Sequence, residues 1–257
     1  MSVALGTVRP RGSPPRVVAH RGFAETYPEN TVAAFVAAAP DCDAVELDAR
    51  PTADGDPVVF HDDGLDDLTD RTGLVRETTT ADVCDAEVLG SGETVPLLSD
   101  VVAAVPPETA LNVELKSSGA ATRRADEALG GREREAARKR WQGFVDRVAK
   151  ELVDAPHEVL YSSFCAGALA AVRARGDAAL APLTATDGEW ALDVAARHGA
   201  AAVHPESSLV LGSDLLVRAH GAGLAVNAWT VRTRRRATCL AEAGVDGCIA
   251  DAPGLLR

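Results

Sequence analysis

The sequence predicts an α/β protein folded as a closed (β/α)8 barrel, a TIM barrel, with a β-hairpin arm and a small insertion after strand two. Three observations carry that expectation. Eight short apolar runs, at 16–20, 44–49, 111–115, 158–162, 179–183, 201–204, 224–228 and 247–250, alternate with helical stretches. Such alternation implies parallel strands joined by helical crossovers. The length of 257 residues accommodates eight units of this kind, and polar residues gather at the C-terminal ends of the first three runs.

Residues 1–15 hold Gly, Pro and Arg without periodicity and are expected as a disordered tail, leaving 16–257 as one domain. Val17 to Ala19 reads as a buried strand, with His20-Arg21-Gly22 as its exit. Asn30 is placed to cap a helix whose apolar face carries Val32, Phe35, Val36 and Ala39. The second strand holds Glu46 and Asp48 two residues apart, so both carboxylates point to one face.

Asp54-Gly55 is a hairpin signal, and the returning arm, 57–62, cannot be a parallel neighbour over so short a connection. A two-residue turn centred there sets His61 opposite Asp48. A slip of one residue turns it to the other face. Residues 63–95 are rich in Asp, Thr and Gly and read as an excursion, followed by a short helix at 96–105. In the third strand Asn112, Glu114 and Lys116 share the site face while Leu111, Val113 and Leu115 take the other.

The polar stretch 117–131 follows directly and is expected either to flex over the site or to be partly disordered. Trp141, Phe144, Val145, Val148 and Leu152 recur at helical spacing, a core stripe. Gly199, Gly221 and Gly244 stand where three later helices should stop.

Composition narrows the function. Apolar residues make up 46%, enough for a full core, and no run is long enough to span a bilayer. The N-terminus lacks the basic-then-apolar order of a secretory signal, so a cytoplasmic protein without a stable membrane anchor is expected. Five cysteines with no C-x-x-C spacing read as free thiols. A net charge of -12 disfavours nucleic acid and anionic lipid as partners. Lysine occurs only at 116, 139 and 150. Adaptation to high salt and a compositional bias towards Ala, Arg, Gly and Asp both account for this balance.

Glu46, Asp48 and Glu114 form an oxygen-rich set suited to one hard divalent cation, Mg2+, Ca2+ or Mn2+. Arg21 and Lys116 border it. Adding the ion leaves the site about one charge positive, which suits a monoanion such as a phosphodiester. His20 and His61 then supply two imidazoles able to act as base and acid in an in-line displacement at phosphorus. Each residue has a plainer explanation: a His-Arg pair at a strand exit is usually a surface contact, and Glu114 with Lys116 can simply form an ion pair. Their convergence on one end of one barrel favours chemistry. His157, His198 and His220 read as structural, His204 is undecided, and Arg232 to Arg236 reads as a solvated helix start.

The motifs HRG at 20–22, PENT at 28–31, ELD at 46–48, DG at 54–55, HD at 61–62, NVELK at 112–116, SSF at 162–164, WTV at 229–231 and DAP at 251–253 resemble those of glycerophosphodiester phosphodiesterases in order and spacing. Ala250-Asp251 departs from the family's usual T-D-x-P. The resemblance implies a metal-dependent TIM barrel that hydrolyses glycerophosphodiesters to glycerol phosphate and an alcohol. It implies His20 and His61 as the acid/base pair, Glu46, Asp48 and Glu114 as metal ligands, and Arg21 and Lys116 as phosphate contacts. Trp229 is implied as a pocket wall, residues 63–110 as a small insertion, and a cyclic phosphate as intermediate. A related phospholipase C or D type enzyme, and a non-catalytic phosphate-binding barrel, stand as alternatives.

If the acidic surface is a high-salt adaptation, the protein should lose far-UV circular dichroism in dilute buffer and regain it in molar salt. A fully folded spectrum at low ionic strength would refute that origin.

Overall fold

The computed structural model describes residues 5–88, 90–116 and 130–256. Its strands are β1 (Arg16–His20), β2 (Ala44–Pro51), β3 (Pro57–Val59), β4 (Ala110–Leu115), β5 (Val159–Ser163), β6 (Ala179–Thr184), β7 (Ala202–Pro205), β8 (Ala225–Val231) and β9 (Gly247–Ala250). Eight of them pair in parallel in the order β1-β9-β8-β7-β6-β5-β4-β2, and β2 returns to β1 to close the barrel. Only β3 is antiparallel, hung on β2 outside the ring. The helices are α1 (Val32–Ala38), α2 (Thr80–Cys84), α3 (Leu98–Ala104), α4 (Gly131–Leu152), α5 (Ala166–Arg173), α6 (Gly188–His198), α7 (Ser207–Gly212), α8 (Leu215–Gly221) and α9 (Arg234–Ala243).

The strands are buried on both faces because two cores need them. Leu47, Leu111, Val113, Leu115 and Leu180 point outward and pack with Phe35, Trp141, Val145 and Leu240 of the helical ring. Val18, Ala44, Ala110, Leu160, Ala181, Ala202, Ala225 and Ile249 fill the lower interior. Small side chains dominate that inner layer, and Leu5 completes it. Leu5 is 1% exposed, its amide bonds to Glu158, and its carbonyl accepts from Asn227 Nδ2 at 3.2 Å. In place of the expected tail, the described residues from 5 onward are therefore tied to the barrel floor. Arg9 N and Val226 N both donate to Asp246, and Arg16 Nη1 donates to the carbonyl of Thr7. No local periodicity marks this plug, since one leucine fills a hole made by distant strands.

Other local expectations shift by a residue. Thr31, not Asn30, caps α1, accepting from Ala34 N, and Val36 is exposed while Ala34, Phe35 and Ala38 are buried. The hairpin turn is one residue longer than expected. Thr52 N bonds to Asp56 O around Ala53-Asp54-Gly55, with Gly55 at φ 84. The register accordingly puts Val59 opposite Ala49 and Val58 opposite Arg50, and Phe60 N donates to Asp48 O. Gly199 and Gly244 stop α6 and α9 in left-handed conformation as expected. Gly221 instead lies inside α8, and the left-handed residue that follows it is Gly223.

The excursion after β3 has its own small core of Val58, Phe60, Leu65, Val75, Val83, Ala86, Val88 and Val95. It ends before α3, whose Leu98 and Val101 belong to the main core. The insertion is therefore shorter than 63–110. Residues 117–129, expected to flex over the site, lie outside the described residues. Among the described residues no helix is long and apolar enough to cross a membrane.

Replacing Leu5 by Ala should lower unfolding free energy by about 2–5 kcal/mol, the usual cost of emptying a buried leucine site. Urea denaturation measures it. An unchanged midpoint would show that the plug does not hold the barrel floor.

Candidate active site

The C-terminal mouth of the barrel gathers every residue singled out for chemistry. Parallel pairing sets His20 beside Glu46 and Asp48 beside Glu114. The period-two alternation of β2 and β4 turns Glu46, Asp48, Asn112 and Glu114 inward. A pocket of about 190 Å³ opens above them, lined by His20, Arg21, Glu46, His61, Glu114, Lys116 and Trp229 among others.

Glu46, Asp48 and Glu114 are all buried, and each offers a carboxylate oxygen within 4.8 Å of the others. Burial and the charges of Asp48 and Glu114 push the Glu46 carboxyl well above the ordinary carboxylate range. Burial also raises Glu114, against the pull of Lys116. Asp48 goes the other way. Burial alone would raise it, but Lys116, Arg21, His61 and an amide bond from Asn30 outweigh that and hold it low.

The cations are already engaged. Lys116 Nζ lies 2.9 Å from Glu114 Oε1 and 3.5 Å from Asp48 Oδ1. Arg21 Nη1 donates to Glu29 Oε1 at 2.9 Å, and its Nε lies 3.3 Å from Asp48 Oδ2. Burial would lower both basic groups, yet the surrounding acids raise them. The ion-pair reading of Glu114 with Lys116 thus holds alongside their place in the pocket.

The chain after β1 is built for this close approach. Arg21, Gly22 and Phe23 all have positive φ, at 51°, 79° and 67°. A Cβ on Gly22 would stand 2.9 Å from Ala34 Cβ and 3.0 Å from the Ala34 carbonyl carbon, so only glycine lets this coil meet α1. Arg21 N then donates to Glu46 Oε2 at 3.1 Å. Asn30, also left-handed at φ 58°, clasps Asp48 instead of capping α1. Its Nδ2 donates to Asp48 Oδ2 at 2.8 Å, and its Oδ1 accepts from Asp48 N at 3.3 Å.

Both imidazoles reach the pocket. His20 Nε2 stands 4.0 Å from Glu46 Oε2, while its Nδ1 lies 2.5 Å from Asp251 Oδ1. His61 lines the same pocket despite the shifted register, because β3 and its pairing end at Val59 and His61 belongs to the turn beyond it. Arg50 enforces that turn. Its Nε and Nη2 both donate to the His61 carbonyl, at 2.8 and 2.6 Å, and its Nη1 reaches Asp63. His61 Nδ1 is 2.6 Å from Asp62 Oδ1. Burial lowers the His61 imidazole to about 4, with Lys116 and Arg21 adding to the effect and Asp48 opposing it.

Trp229 forms a wall, its Nε1 donating to the His204 carbonyl at 2.7 Å and its ring meeting Phe164 edge-on at 5.5 Å. His204 itself sits in the interior, within 3.0 Å of Asn227 Nδ2. His157 is tied to the Val105 carbonyl, and His220 to Asp246, both away from the pocket. The run from Arg232 to Arg236 leads into α9 largely exposed, as expected, but Arg232, its side chain 61% exposed, also takes part in the site. It precedes α9, lines the pocket and donates to Asp251 Oδ2 at 2.7 Å. Sequence reasoning missed Arg50, Asn30, Asp251 and Arg232 as site residues. Asn30 and Asp251 stood in recognised motifs, but nothing local marked their partners, and Arg50 and Arg232 carried no signal.

A (β/α)8 barrel whose C-terminal mouth joins three carboxylates, two cations and two imidazoles belongs to the class equipped for phosphoester chemistry. Residues 20–255 match the Glycerophosphoryl diester phosphodiesterase family, and the chain belongs to that family. A glycerophosphodiester phosphodiesterase of Bacillus altitudinis is 37% identical over 112 residues, 40% of this chain and 46% of that protein. One from Caldanaerobacter subterraneus subsp. tengcongensis is 38% identical over 109 residues, 39% and 45% of the two chains. The matched stretch thus spans about half the length of these curated relatives.

Solved structures match more fully. A putative glycerophosphoryl diester phosphodiesterase from Silicibacter pomeroyi superposes with a TM-score of 0.81 at 26% identity, covering 99% of this chain and 95% of that one. An Oleispira antarctica phosphodiesterase in complex with the product sn-glycerol-3-phosphate gives 0.78 at 25% identity, with 93% and 94% covered.

Proposed function

We propose that this protein hydrolyses glycerophosphodiesters to glycerol phosphate and an alcohol with the help of one divalent cation. The observation that carries the reading is a cluster of three buried carboxylates, flanked by two cations, with two imidazoles bordering the same pocket. The sn-glycerol-3-phosphate held by the Oleispira neighbour supports the substrate class.

The acid cluster fits a hard cation on three counts. Its donors are all oxygen. Their mutual spacing allows a shared ion, since oxygens about 2.0–2.6 Å from one centre lie at most roughly 5 Å apart. Asp48 Oδ1 is buried and, among the described residues, accepts no hydrogen bond, with Lys116 Nζ 3.5 Å away as its nearest cation, so it retains a lone pair that an ion could take. Glu46, Asp48 and Glu114 would hold the cation, Mg2+, Ca2+ or Mn2+. When bound, it would supply Lewis-acid polarisation of a phosphoryl oxygen.

The remaining steps belong to the chain. Arg21 and Lys116 face the phosphoryl oxygens and stabilise charge that develops there. One imidazole takes the proton from a glycerol hydroxyl as that oxygen bonds to phosphorus. The other gives a proton to the departing alcohol as the phosphorus–oxygen bond breaks. A cyclic glycerol phosphate results. Water then opens it with the two imidazoles in exchanged roles. Trp229 walls the substrate and excludes water. Five free thiols among the described cysteines suit a reducing compartment, in keeping with a cytoplasmic setting.

The direct test is a product assay on glycerophosphocholine, glycerophosphoethanolamine, glycerophosphoglycerol and, for contrast, lysophosphatidylcholine, with Mg2+, Ca2+, Mn2+ and a chelator. Metal-dependent release of glycerol phosphate is expected. Turnover confined to lysolipids, or binding without turnover in every metal, would overturn the reading.

Two variants separate the parts. Glu46→Gln should weaken Mn2+ affinity in calorimetry by at least about tenfold, since even loss of an outer-shell partner of a ligand costs about that much. A superimposable titration would remove Glu46 from the ligand set. His61→Ala should lower kcat by ~10²–10⁴-fold with Mn2+ affinity retained. Near-normal turnover would exclude it from proton transfer.

A further inference from the structure

We infer that Asp251 is a positioning residue for His20, and that Arg232 anchors Asp251 in that task. The inference rests on the catalytic reading of His20. Asp251 is the first residue after β9 and is 3% exposed. Its two carboxylate oxygens are divided between two partners. Oδ1 lies 2.5 Å from His20 Nδ1, and Oδ2 accepts from Arg232 Nε at 2.7 Å. The three side chains come from the ends of β1, β8 and β9, consecutive staves of the barrel wall.

Holding the strand end does not require this carboxylate. The main chain of Asp251 is already tied on both sides: its N–H donates to the Val231 carbonyl at 3.1 Å, and its carbonyl accepts from Glu25 N at 2.9 Å. What the side chain adds is direction. With Nδ1–H committed to Asp251, the ring has one orientation, and Nε2 faces the carboxylate cluster, 4.0 Å from Glu46. Among the described residues Nε2 makes no hydrogen bond, so it is the nitrogen free to serve a substrate. A carboxylate behind an imidazole fixes the tautomer and stabilises the cation formed when Nε2 takes a proton.

Arg232 keeps that carboxylate in register. Its Nε is shared between Asp251 and, at 3.7 Å, Glu25 Oε1. Burial would raise the Asp251 carboxyl, but the hydrogen bond and charge of His20, with those of Arg232, hold it below the usual range. Both oxygens are thus retained as acceptors. His61 has a weaker counterpart in Asp62, which is adjacent in sequence and 38% exposed.

The test compares wild type with Asp251→Asn, Asp251→Glu, Arg232→Gln and His20→Gln. The first readout needs no turnover: a strongly deshielded imidazole N–H proton in the ¹H NMR spectrum of the metal-free protein. It should be present in wild type and absent from Asp251→Asn and His20→Gln. The second is steady-state kinetics on glycerophosphoethanolamine with saturating Mg2+. Asp251→Asn should lower kcat by ~10²–10⁴-fold with KM within about threefold, the pattern of a lost transition-state interaction. Asp251→Glu should recover part of the loss, and Arg232→Gln should cost about threefold to tenfold in kcat at an unchanged melting temperature.

A deshielded proton that persists in Asp251→Asn, or wild-type kcat in that variant, overturns the inference. Should Asp251→Asn fail to fold, Arg232→Gln decides. A lower kcat in an intact fold supports the inference, and an unchanged kcat overturns it. A wild-type protein without turnover would sink the proposed hydrolysis, while the resonance still reports on the His20–Asp251 pairing.

Discussion

Three carboxylates sealed at the mouth of a closed barrel impose the central constraint. Glu46, Asp48 and Glu114 are each less than a tenth exposed, on strands that are hydrogen-bonded neighbours. Like charges so close cannot all ionise in a poorly solvated place unless opposite charge is supplied. The surrounding architecture supplies it in layers. Lys116 and Arg21 provide whole charges, Asn30 provides an amide, and the left-handed coil from Arg21 to Phe23 brings a backbone N–H to Glu46. These groups quiet Asp48 but leave Glu46 and Glu114 shifted towards protonation. The uncompensated remainder is what a divalent ion would neutralise.

The same geometry explains why the imidazoles stand where they do. A barrel mouth offers strand ends on one side and loops on the other. His20 is a strand-end residue, backed by a buried carboxylate two strands' width of wall can hold rigidly. His61 belongs to the loop leaving β3, and its backbone is gripped by Arg50 from β2. The excursion beyond it has its own apolar core, so the loop rests on a folded support. One imidazole is therefore fixed by the barrel wall, and the other by an appendage that Arg50 ties to β2.

Most of this was legible wherever a period-two or period-3.6 pattern carried the information. Alternation alone put Glu46 with Asp48, and Asn112 with Glu114 and Lys116, on the inner face, and the strand count gave the barrel. Reading failed where a contact joined distant segments or hinged on one turn residue. Leu5 and Glu158, or His20 and Asp251, are separated by 153 and 231 residues, and neither member of such a pair announces the other locally. The hairpin register moved because Ala53-Asp54-Gly55 forms a three-residue loop in place of the two-residue turn assumed. His61 survived that slip only because the pairing ends before it. Its placement was thus reached by a faulty route, and Arg50 supplies the actual cause.

Net charge and site charge also pull in opposite directions. The chain carries -12 overall, and many surface arginines are spent on neighbouring acids, as in Arg138 with Glu135, Arg197 with Asp193 and Arg218 with Glu189. Any phosphate-bearing anion therefore meets a repulsive exterior. That field is screened over about 10 Å at 0.1 M salt, so the last few ångströms decide binding. There Arg21, Lys116 and Arg232 line the pocket. With an ion in place the balance at the mouth reverses sign relative to the surface. A diester carries one negative charge, whereas a phosphate monoester carries about 1.5 to 2 at neutral pH. The reversed field at the mouth thus acts more strongly on a monoester dianion than on a singly charged diester, so the acidic exterior and the positive mouth set opposite signs on the same charge difference.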